Sequence, residues 1–70
     1  MNKMTYVIIS NDSVVAKVYE NDTMQGRTIV CMNSINTDDV LVVYKLNEGQ
    51  PEKVNEAFLL DFFRELIPVN

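Results

Sequence analysis

The sequence predicts an α+β domain in which a four-stranded antiparallel sheet is followed by one C-terminal helix, in the order ββββα. Three observations predict this fold class. Short β-branched and aromatic segments alternate with turns rich in Asn, Asp and Ser. An Asn-Glu-Gly-Gln-Pro segment then breaks the strand pattern. Beyond it, apolar residues recur at three- and four-residue spacing, which is helical. A chain of 70 residues fits one domain, residues 1–70.

The four predicted strands cover residues 4–9, 14–20, 28–32 and 40–46. The first is apolar on both faces, which predicts a central strand or a second covered face. Ser10–Ser13 is a tight turn, because Asn and Asp accept left-handed backbone. Residues 21–27 and 33–39 are longer connections. The simplest arrangement is two hairpins in one antiparallel sheet, and a curled, partly barrel-like sheet is the alternative.

The predicted helix covers residues 55–67. Asn55 suits the N-cap position, and Glu56 is favourable in the first turn. Pro68 ends the helix. An earlier start, with Pro51 as the first helical residue, is the alternative.

The helix carries more apolar residues than one sheet can cover. At ~100° per residue its apolar positions spread over roughly 200°, whereas a helix on one sheet needs a stripe little wider than ~100°. The surplus predicts an exposed apolar edge, and such patches mark interfaces. The predicted interface residues on this edge are Leu60, Phe63 and Ile67. Tyr19 is added to them because it shares a strand face with Lys17, and tyrosine is enriched at interfaces. The alternative is a helix end wrapped by other parts of the chain, or a curved sheet that encloses the helix more fully.

The net charge of -4 arises entirely after Thr37. The acidic residues there are Asp38, Asp39, Glu48, Glu52, Glu56, Asp61 and Glu65. This balance argues against direct binding to DNA or RNA, which favours a basic surface. The acidic half is a solvated face, a contact for a basic protein, or an imitation of nucleic acid.

The residue inventory argues against catalysis. The chain has no His, the side chain that carries protons near neutral pH, and its single cysteine, Cys31, lies mid-strand as an expected buried hydrophobe. Asp38 and Asp39 are adjacent in extended chain, so their side chains diverge and do not share a metal. We therefore expect no enzyme activity, no catalytic residue, no cofactor and no metal. A lone cysteine, with no signal peptide or membrane span, predicts a cytoplasmic protein.

The sequence favours a protein-binding module that acts by occupying a partner's surface. Its size and acidity are in keeping with small inhibitors or adaptors of phage or mobile-element origin. One alternative is a homo-oligomer that binds a small anion or nucleotide at a subunit seam, with Lys17 and Arg27 as contributors. A third hypothesis is a self-assembling structural subunit. The expected partners are therefore another protein, a second copy of the chain, or both.

Overall fold

The computed structural model describes residues 2–21 and 26–70 as a five-stranded antiparallel sheet with one helix against it. The elements are β1 (Asn2–Ser10), β2 (Ser13–Asn21), β3 (Arg27–Cys31), β4 (Val42–Asn47), β5 (Gln50–Val54) and α1 (Ala57–Leu66). The α+β class and the C-terminal helix are thus confirmed. The predicted number of strands is wrong, because β5 lies in a segment that the sequence had assigned to a loop before the helix.

The additional strand forms because Glu48 and Gly49 make a two-residue hairpin turn. Both have positive φ, 53° and 81°, as a type I′ hairpin turn requires. Pro51 lies in β5, which is an edge strand, and an edge strand tolerates a residue without an N–H. The alternative helix start at Pro51 is therefore wrong. The predicted turn at Ser10–Ser13 is confirmed, with φ of 51° at Asn11 and 62° at Asp12.

The strands lie in the order β3-β2-β1-β4-β5, so β1 is the central strand. This agrees with the apolar character of both of its faces. The two hairpins are β1–β2 and β4–β5, and the sheet is open, with β3 and β5 as its edges. The predicted hairpin between the third and fourth strands is wrong, because β3 pairs with β2 and β4 pairs with β1. Residues 32–41 form a crossing loop that connects β3 at one edge with β4 on the far side of β1.

One face of the sheet, the inner face, packs against α1 and the crossing loop. The core residues are Tyr6, Ile8, Val15, Ala16, Val18, Ile35, Leu41, Val43, Phe63 and Ile67. Phe63 is fully buried, and its ring lies 5.2 Å from that of Tyr6. Ile35 connects the crossing loop to the C-terminus: its N–H donates to the Pro68 carbonyl at 2.9 Å, and its carbonyl accepts from the Asn70 N–H at 2.8 Å.

Cys31 is exposed, which corrects the expectation of a buried side chain. It lies at the end of the edge strand β3, where only β2 pairs with it, through Ala16. Its Sγ lies 3.7 Å from the carbonyl oxygen of Leu66. The apolar neighbours of Cys31 in sequence indicated a strand correctly, but they did not indicate that the strand would lie at an edge.

Glu56, and not Asn55, is the N-cap residue of α1, and its side chain makes no capping hydrogen bond. We expect Glu56→Asp to raise the free energy of unfolding by about 0.5–1 kcal/mol. The shorter aspartate side chain has the length needed to accept a hydrogen bond from the unpaired backbone N–H groups in the first turn of α1, and it keeps the favourable negative charge. Urea denaturation followed by circular dichroism measures the change. Glu65→Asp, the same substitution inside the helix, is the control. An equal gain from both substitutions would contradict the capping explanation.

Candidate functional site

Three large apolar side chains form an exposed line along α1, which we call the helix stripe: Phe58, Phe62 and Leu66. They are 69%, 44% and 45% exposed. Residues four apart lie on one side of a helix, one turn above another. Asp61 and Glu65 follow Phe58 and Phe62 by three residues, which is also a spacing of neighbours on a helix surface, and both are exposed. The stripe is therefore apolar with a carboxylate border.

The structure places the four predicted interface residues in different surroundings. Phe63 and Ile67 are 0% and 3% exposed and belong to the core, which corrects the expectation that they form the exposed edge of the helix. Leu60 is half-buried and packs against the core. Tyr19 is half-buried on β2 and pairs with Met4 and Thr28 across the sheet.

The surplus of apolar surface on the helix is present, but on the other side of the apolar arc. The sequence defines how far the apolar positions extend around the helix, and the two sides of this apolar arc are equally apolar. The choice between them depends on where the crossing loop lies. Arg64 donates from Nη2 to the Asp39 carbonyl at 2.5 Å and from Nη1 to the Thr37 carbonyl at 3.4 Å. These bonds hold the Arg64 side of α1 against the crossing loop and leave the helix stripe on the opposite side.

The acidic residues do not form one continuous surface. Asp39 is half-buried, and its carboxylate accepts from the Asn36 N–H at 2.9 Å, so it stabilises the crossing loop. Glu48 lies in the β4–β5 turn, at the opposite end of β4 from the crossing loop that contains Asp38. Within the predicted acidic half, the exposed members are Asp38, Glu48, Glu52, Glu56, Asp61 and Glu65. Of these, Asp61 and Glu65 are the two beside the helix stripe.

The side of the sheet away from α1, the outer face, is also apolar. A row of paired residues crosses it from β3 to β5: Val30, Lys17, Val7, Tyr44 and Lys53. In the next row Ile9 pairs with Val14 and Val42. Ile8 and Val43 on the inner face are completely buried, whereas Val7 and Val42 keep part of their surface exposed. No described residue covers this face. The sequence signal for it was the two-faced first strand.

The two basic residues predicted to bind an anion at a subunit seam lie on opposite faces of the sheet within one chain. Lys17 lies on the outer face between Val7 and Val30. Arg27 forms an ion pair with Glu20 at 3.1 Å, and the alternation of the strands places this pair on the inner side. Within a single chain, therefore, Lys17 and Arg27 do not form one anion site.

Across residues 2–21 and 26–70, no three His, Cys, Asp or Glu side chains lie close enough together to hold a metal ion. Ser10 is buried, and among the described residues its Oγ has no hydrogen-bond partner. It lines a shallow polar depression with Asn11, Asn33 and Asp39. In the same described ranges, no helix has the length and apolar character needed to cross a membrane.

No protein-family model, curated protein or solved structure matches this chain.

Proposed function

We propose that this chain is a non-catalytic protein-binding module that acts by occupying a partner's surface through the helix stripe. The observation that carries the proposal is the exposure of Phe58, Phe62 and Leu66 in one line beside two carboxylates. A helix that anchors through residues one turn apart in an apolar groove is a recurring mode of protein recognition. The chain has no His, which supports a role without chemistry of its own.

The border of the stripe specifies the chemistry of the partner. Asp61 and Glu65 lie beside the apolar line, and both side chains are exposed. A complementary partner has an apolar groove with lysine or arginine at its rim, because such charges meet the carboxylates and favour the correct orientation. A basic protein whose groove is blocked in this way loses the use of that surface. Inhibitory or adaptor activity would follow from this occupation.

The stripe is separate from the residues that stabilise the fold, so it can be altered without removing the core. The core contribution of α1 comes from Phe63, with Ile67 immediately after the helix and Leu59 packed beside them. Phe58 is the most exposed aromatic side chain of the stripe. Phe62 is less independent, since its ring lies 5.5 Å from that of Phe63. Phe58 and Leu66 are therefore the positions to test.

The test is affinity capture from a lysate of the source cells with the wild-type chain and the double variant Phe58→Ser/Leu66→Ser. We expect the variant to lose the captured protein, because truncation of central apolar anchors costs about tenfold or more in affinity for each residue. Val40→Ser, at a residue that is 75% exposed but lies outside α1, is the matched control and retains the partner.

The captured protein is then purified and titrated directly. Asp61→Asn/Glu65→Gln is expected to weaken binding and to reduce its salt dependence. The reason is that salt screens the attraction between these two carboxylates and the basic residues of the partner. Capture of the same protein by the stripe variant and the wild type, with equal affinities, would contradict the proposal. So would binding that is insensitive both to salt and to the two charge substitutions.

A further inference from the structure

We infer that the outer face of the sheet binds a second copy of this chain, so that two sheets pack face to face about a two-fold axis. The outer face is a different surface from the helix stripe, since α1 lies on the inner side. Its composition, its area and the absence of any described residue that covers it favour a second copy as the occupant.

The composition of the outer face is that of a surface buried in the functional state. The half-buried apolar residues at its centre are Val7, Ile9, Val14, Val42, Tyr44 and Leu46. Among the described strand positions that point to this side, none is a carboxylate, although the chain as a whole is acidic. Lys17 and Lys53 are the charged residues there, on either side of the central Val7–Tyr44 pair.

The area of the face is that of a weak, reversible dimer. Five strands at ~4.8 Å spacing, with outward residues repeating every ~6.7 Å along each strand, give a patch of roughly 24 by 20 Å at most, because β3 and β5 each carry only two outward residues. Two such patches in contact bury less than about 1,000 Å² of surface in total, which is the size of a transient interface. Two sheets also pack well about 10 Å apart when their strands are nearly aligned. A chain of 70 residues has a thin margin of stability, and association adds to it.

A second copy fits this face better than other occupants do. The apolar depression lined by Val7, Tyr44 and Pro51 is open on one side, whereas pockets for small molecules enclose most of their ligand. Among the described strand positions, a strongly charged partner would find only two lysines on this face, Lys17 on β2 and Lys53 on the edge strand β5. The uncharged centre is self-complementary, and homodimer interfaces are the more apolar class. The long lysine side chains can extend to the rim and keep their ammonium groups in water.

The resulting dimer would have four layers, with both helices on the outside. The two helix stripes would lie on opposite sides of the dimer, and both would stay accessible. The dimer would therefore present two equivalent contact surfaces, and a partner with two grooves would bind it with increased avidity wherever the spacing allows. Dimer formation and partner binding would use different faces of the same chain.

Sedimentation velocity of the purified chain, from about 1 μM to about 1 mM, tests the inference. We expect a monomer–dimer equilibrium that increased salt preserves or strengthens, since the charges that meet across the interface have one sign. Val7→Lys adds a third lysine to the face, at its apolar centre. We expect it to raise the dissociation constant of the dimer by at least about thirtyfold. Phe58→Lys, the same type of change on the helix stripe, is the control and leaves the dimer intact.

Nuclear Overhauser contacts between labelled and unlabelled wild-type chains provide a test that does not depend on the variant folding. We expect contacts between methyl groups of the outer face, from Val7, Ile9 and Leu46 of the two copies. A chain that remains monomeric at every concentration would overturn the inference, as would intermolecular contacts at the helix stripe instead. A monomer that still captures a basic partner through Phe58 would overturn this inference alone and leave the proposed function standing.

Discussion

Replacement of Phe63 with alanine is expected to lower the free energy of unfolding by about 3–5 kcal/mol, the range for a fully buried phenylalanine. The side chain has no exposed surface, and its ring contacts those of Tyr6 and Phe62 at centroid distances of 5.2 and 5.5 Å. A domain of this length typically has only about 3.5–10 kcal/mol of stability. The loss is therefore a large fraction of the stability, and at the lower end of this range the variant would be mostly unfolded at 25 °C. Urea denaturation followed by circular dichroism measures the loss.

Phe58→Ala is the matched control for this experiment, because it removes the same side chain from the same helix at a position that is 69% exposed. We expect a loss of less than about 1 kcal/mol, since little buried surface is removed. Similar losses at the two positions would mean that α1 does not pack in the orientation described. The pair of variants thus tests the fold and also the accessibility of the helix stripe.

Replacement of Ile35 with alanine is expected to cost about 2–5 kcal/mol, even though it lies in a polar loop. Ile35 is 1% exposed, and its backbone forms hydrogen bonds with Pro68 and Asn70. Its side chain thus helps to hold the crossing loop and the C-terminus over the sheet. Denaturation in urea gives the loss. Hydrogen exchange should show reduced protection at the Ile35 and Asn70 amides, because this local structure opens more often.

Val40→Ala is the control within the same loop, at a residue that is 75% exposed. We expect it to change the free energy of unfolding by no more than about 0.5 kcal/mol. If Ile35→Ala were as mild as Val40→Ala, the crossing loop would not be a part of the core, and the orientation of α1 beside it would need another cause.

The crossing loop shows why the candidate site was only partly predictable. The segment around Ile35 has a polar composition, and a single apolar residue in it carries no periodicity that could indicate burial. The loop nevertheless supplies two carbonyl oxygens to Arg64. Those bonds lie between residues 25 and 27 positions apart in the sequence, so no local pattern contains them. They hold one side of α1 and leave the other as the helix stripe.

The fifth strand was missed for a different reason. Gly49 and Pro51 are strong signals of a break, and the sequence interpretation took them to end the sheet. The same residues also suit a type I′ hairpin turn followed by an edge strand. Only the position of β5 at the edge, beside β4, distinguishes the two outcomes. That position is a property of the assembled sheet.

The sequence by itself determined the α+β class, the apolar character of both faces of β1, the first hairpin turn, the C-terminal helix and the presence of surplus apolar surface. These features follow from local periodicity and turn chemistry, which act over a few residues. The tertiary structure decided the fifth strand, the burial of Phe63 and Ile67, the exposure of Cys31 and of the helix stripe, and the uncovered outer face. These depend on which elements lie side by side, and packing between residues distant in sequence sets that arrangement.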